Sequence, residues 1–186
     1  MSLKREFLGR VPRTFKDPVT GLVAGNETEL SALLSYYQAR GVINWEEVGL
    51  YRCSDRERVK PASEYISASS LLFCEYPLFS NSETVDIWGQ MPADLLLFSE
   101  RRNSIALLEN KIGSKFTSGG TQLARQAEYL HRSNFVNKSL IVLTSKSFLD
   151  RGWYLKEMTE VDISYPFLNV YCMYWEDIFS AIDVQS

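Results

Sequence analysis

A chain of 186 residues with 45% hydrophobic and 23% charged residues has an ordinary globular composition, long enough to bury one core without disulfide or metal support. The formal net charge of −3 leaves no global positive field to draw nucleic acid and weighs mildly against a general nucleic-acid coat protein, so any phosphate-binding surface must be local. Scattered cysteines (Cys53, Cys74, Cys172) without C-x-x-C spacing, and no apolar run near the roughly 18 residues of a membrane span, argue against a disulfide framework, a zinc cluster and a membrane protein.

The chain carries no internal repeat or low-complexity segment and reads as a single domain over 1–186. Its opening, Met1-Ser2-Leu3-Lys4-Arg5, leads into no apolar h-region, so a cytoplasmic protein without a secretory signal is expected. Residues 1–25 form a polar lead-in punctuated by Pro12, Asp17-Pro18 and Gly21. Asn26 opens a helix with Leu30, Leu33, Leu34 and Tyr37 on one face and Gly41 as its stop. A second helix is predicted around Asn44 to Tyr51, and the charged stretch from Arg52 to Lys60 reads as a solvated loop or helix surface.

From Ser70 the pattern turns to strands. Leu71 to Tyr76 is one; the next runs through Val85 to Trp88 or restarts after Pro92 as Asp94-Leu95-Leu96-Leu97-Phe98. A turn at Glu100-Arg101-Arg102-Asn103 leads into Ser104 to Lys111. These last two runs are apolar at consecutive positions until their polar ends, as central strands of a covered sheet are. A Gly/Ser/Thr-rich loop, a helix from Thr121 to Arg132, and strands at Leu140-Ile141-Val142-Leu143 and Val170 to Tyr174 follow, with a final helix beginning Trp175-Glu176-Asp177. The core spans about 26–145 and a C-terminal strand and helix are additions within 146–186, giving an α/β fold with a mixed central sheet flanked by helices.

If the strands on either side of the Glu100–Asn103 turn pair as a hairpin, the start of one lies beside the end of the other. The side-chain period of two puts Glu109 and Lys111 on one face, with Asp94 nearby. Two carboxylates and an ammonium among Leu and Ile are costly to bury and call for a reason. Phosphodiester hydrolysis supplies one. Carboxylate oxygens suit Mg²⁺, which can activate water and offset phosphate charge, while a lysine stabilises developing negative charge.

Met91-Pro92-Ala93-Asp94-Leu95-Leu96-Leu97, then Leu107-Leu108-Glu109-Asn110-Lys111-Ile112, resembles the PD-(D/E)xK nuclease superfamily, and Thr121-Gln122-Leu123 is similar to its glutamine-bearing helix. The resemblance covers roughly Asn26 to Leu143; Ala93 separates Pro92 from Asp94 where the motif has them adjacent. It implies a restriction-endonuclease-like αβββαβ core, Mg²⁺ (or Mn²⁺) bound by Asp94 and Glu109, Lys111 and Gln122 in catalytic roles, and DNA as the nucleic-acid partner, with a homodimer compatible. Members often place an acidic residue on the first core helix. Glu27 and Glu29 both flank the apolar stripe; Thr28-Glu29-Leu30 resembles the family's helix entry and favours Glu29, although Glu29 also suits a capping box opened by Asn26.

Other features have ordinary readings. Gly113 to Thr121 lacks the G-K-[ST] ending of a Walker A loop, which leaves an access loop with Lys115 as a candidate phosphate contact. Gln126 shares the edge of the later helix with Gln122, while Arg125 and Arg132 suit a polar outer face and His131 a surface or packing role. Two further classes compete with a DNA nuclease: a catalytically inactive nuclease-fold binding or assembly module, and a hydrolase of a small phosphorylated substrate.

Overall fold

A computed structural model describes residues 15–16, 23–24, 27–77, 92–111, 121–146 and 155–182. The Val85 to Trp88 alternative, most of the lead-in, Asn26 and the loop carrying Lys115 lie outside them. A two-strand ribbon joins β1 (Phe15–Lys16) to β2 (Val23–Ala24). Helix α1 (Glu27–Arg40) follows, then the hairpin of β3 (Gly49–Arg52) and β4 (Arg58–Pro61). The meander β5 (Leu71–Pro77), β6 (Pro92–Ser99) and β7 (Ser104–Lys111) comes next. Beyond it run α2 (Thr121–Arg132), β8 (Asn137–Thr144), α3 (Leu155–Ser164), β9 (Asn169–Tyr174) and α4 (Trp175–Ser180).

Among the described residues, seven strands form one mixed sheet in the order β4-β3-β9-β8-β7-β6-β5. β5, β6 and β7 pair antiparallel, and β7, β8 and β9 pair parallel, with α2 and α3 as the crossovers. Alternation along the strands divides the apolar side chains between two cores. Leu95, Leu97, Ala106, Leu108, Ile141 and Leu143 pack with Leu30, Leu33, Leu34 and Tyr37 of α1 and Trp175, Ile178 and Phe179 of α4. Leu96, Ile105, Leu107, Leu140 and Val142 face the other way, against Leu123, Ala127 and Leu130 of α2 and Met158 and Val161 of α3. Covering on both faces explains why the central strands read as continuous apolar runs.

Gly41 ends α1 at φ 66°, a left-handed conformation that glycine reaches without Cβ strain. Asn103 closes the β6–β7 turn at φ 48°, where asparagine is among the tolerated residues. One expected helix is corrected. Asn44 to Tyr51 forms turns and then β3, because Tyr51 and Arg52 pair with Cys172 and Tyr171 of β9. Much of the charged Arg52 to Lys60 stretch is the hairpin turn and edge strand β4, exposed through Val59. Among the described residues, no helix is long and apolar enough to cross a membrane.

Candidate active site

The polar ends of β6 and β7 meet as their register requires. Leu95 is paired with Leu108, so one step further Asp94 faces Glu109. Asn110 N–H donates to Asp94 Oδ2 at 2.7 Å, tying the first carboxylate to the strand that carries the second. Glu109 has no exposed surface and Lys111 retains 6%. Lys111 Nζ lies 2.5 Å from Glu109 Oε1, forming the innermost ion pair.

Helix α2 supplies the remaining donors. Gln122 Nε2 donates to Glu109 Oε1 at 2.5 Å, and Gln126 Nε2 to Glu109 Oε2 at 2.6 Å. The four-residue spacing on a helix presents both amides to one carboxylate. With two donors on Oε1 and one on Oε2, one lone pair of Glu109 stays open. Gln126 belongs to the site as closely as Gln122 does. Its position four residues after Gln122, at the edge of the apolar stripe, was the signal in the sequence.

On α1 it is Glu27 that the structure brings beside Lys111, where the sequence favoured Glu29. Glu27 Oε2 lies 4.0 Å from Lys111 Nζ, while Glu29 is exposed. Two residues correspond to roughly 200° around a helix, so the two glutamates do not share one face. Asn110, hidden between Glu109 and Lys111, points to the opposite sheet face. There its Nδ2 donates to Glu27 O at 2.8 Å and Ser31 Oγ at 3.3 Å, and its Oδ1 accepts from Trp175 Nε1 at 2.9 Å.

The electrostatics follow from burying more carboxylate than ammonium. Burial first, and then the Glu109 charge, push the Asp94 carboxyl up to about 7, against the opposing pull of Asn110 N–H and Lys111. Burial likewise raises Glu109, although Lys111 and Gln126 act to lower it. For Lys111 burial favours the neutral amine, but the charges of Glu109, Glu27 and Asp94 outweigh it and hold the ammonium above its ordinary range. Lys111 is therefore a charged donor at neutral pH rather than a proton acceptor.

Excess negative charge, hard oxygen donors and spare lone pairs on Asp94 and Glu109 suit a divalent cation that keeps several of its waters. Among the described residues, no three His, Cys, Asp or Glu side chains form a ready-made metal cage. His131 is exposed and packs its ring 4.6 Å from that of Phe167, and Arg132 pairs with Glu128 on the outer face of α2. Cys53 and Cys172 are free thiols buried side by side between β3 and β9. No protein-family profile matches the chain, and no curated protein sequence matches it.

Proposed function

We propose that the protein is a metal-dependent nuclease that hydrolyses phosphodiester bonds in DNA, with Asp94, Glu109 and Lys111 at the reacting end of the sheet. The observation that carries this reading is the buried Glu109–Lys111 pair facing Asp94, an excess of negative charge with no evident structural use. The element order α1, β5, β6, β7, α2, β8 supports a restriction-endonuclease-like αβββαβ core, to which β3, β4 and β9 are additions.

Asp94 and Glu109 would hold Mg²⁺ or Mn²⁺, which supplies Lewis acidity toward phosphate oxygens and lowers the pKa of water. Gln122 and Gln126 fix the Glu109 carboxylate so that its open lone pair has one direction. Lys111 keeps its proton and offers a fixed positive charge to the phosphorane oxygens, where a preorganised donor contributes most. Glu27 stands across Lys111 from Glu109 and strengthens that charge state.

Purified protein is expected to cut plasmid or duplex oligonucleotide with Mg²⁺ or Mn²⁺ and to lose cutting in chelator. Lys111→Ala should reduce the rate at least about 100-fold, the range for removing a transition-state donor. Unchanged cleavage by that variant would refute the assigned site.

A binding or assembly module that keeps the nuclease fold is the second reading, favoured by one observation: both oxygens of Glu109 already have donors within the protein. Calorimetry showing no divalent-ion binding, together with tight association to a protein partner, would select it.

A further inference from the structure

The residue between the two motif charges faces away from the chemistry, yet it ties β7 to three other elements. Asn110 has no exposed surface. Its main-chain N–H holds Asp94 of β6. Its side-chain amide donates to the Glu27 carbonyl and the Ser31 hydroxyl in the opening turns of α1, and its Oδ1 receives the indole N–H of Trp175, the first residue of α4. An isolated polar side chain in an apolar core costs free energy, but here each polar atom has a partner. The first turn of a helix has few internal restraints, because its N–H groups lack intrahelical partners. Glu27 is the first residue of α1, in that first turn.

We infer that Asn110 is a positioning residue that locks the first turn of α1 onto β7 from behind the sheet and so sets the Glu27 carboxylate beside Lys111. Trp175 completes the lock by fixing which way the amide points: with Oδ1 occupied by the indole donor, Nδ2 is left for α1. The consequence lies in the charge around Lys111. Glu27 brings a carboxylate from a separate element to 4.0 Å from the ammonium that pairs with Glu109. The inference rests on the proposed metal site and adds how its outermost carboxylate is held.

A double-mutant cycle on Mn²⁺ affinity, read by calorimetry on protein without nucleic acid, tests it. Asn110→Ala keeps the main-chain bond to Asp94, and Glu27→Gln removes the charge but not the helix. Each single substitution is expected to weaken Mn²⁺ binding about tenfold or more, as loss of an orienting partner does. The double variant should bind no more weakly than the weaker single variant, because Asn110 acts through Glu27. Trp175→Phe, which keeps the aromatic packing and removes only the donor to Oδ1, should show a smaller loss that also vanishes in the Glu27→Gln background; it carries the test if Asn110→Ala does not fold. Losses that add in the double variant, or full affinity in Asn110→Ala, overturn the inference and leave the metal site standing. Absence of Mn²⁺ binding by the unaltered protein overturns the site itself and the inference with it.

Discussion

Asp94 shows how one carboxyl can record the balance of its surroundings. Its ordinary value is 3.8, and burial followed by the neighbouring Glu109 charge push it up to about 7 in the folded protein. Between those values the native state holds a proton that the unfolded chain has released. The native state then binds more protons than the unfolded one, so stability falls as pH rises. This contribution is fully present below the unfolded value and is lost as pH climbs through about 7. Metal-free protein should lose stability from about pH 4 to about pH 7 more steeply than Asp94→Asn, which has no proton to give up. Urea denaturation in chelator across that window checks this; parallel profiles for the two proteins would sink it. A bound cation favours the ionised form, so added Mn²⁺ is expected to flatten the slope of the unaltered protein.

At the level of elements, β7 links the two cores and the site. Leu108 faces α1 with no exposure, and Leu107 is equally hidden on the α2 face. Leu108→Ala should cost about 3 kcal/mol, the usual loss for deleting such a side chain from a packed core. A shift below about 1 kcal/mol in urea denaturation would mean that the α1 interface collapses around the gap. The alternation that divides these leucines is also why the strand, its face and the grouping of Asp94, Glu109 and Lys111 were legible in the sequence. Glu27 was not, because both glutamates flank the apolar stripe and the choice depends on how α1 sits over the sheet end. That seating is held by Asn110, 83 residues away. The hairpin of β3 and β4 escaped for a similar reason: its charged residues read as loop, and the pairing that makes β3 a strand comes from β9. Helix α3 left only a thin trace, with Met158 and Val161 buried and Ile163 exposed on a helix of 10 residues.

For the whole molecule, the sheet order differs from the chain order in one respect. β3 and β4 precede the meander in sequence but join the sheet on the far side, against β9. Tyr51 of β3 donates to Asp177 of α4 at 2.6 Å, across 126 residues, and Cys53 lies 3.3 Å from Cys172. A chain cut after Leu168 should therefore lose its cooperative unfolding transition, since β8 then presents an open edge and β3 has no neighbour but β4. A sharp urea transition in the truncated chain would show that the meander, α1 and α2 stand alone. The same seating governs how the protein is made. Emerging from the ribosome, β3 and β4 must wait while more than half of the chain is synthesised, and they settle only after β9 appears. Between the synthesis of β8 and that of β9, the exposed edge of β8 is a surface on which a chaperone would act, and on which neighbouring nascent chains could pair by mistake.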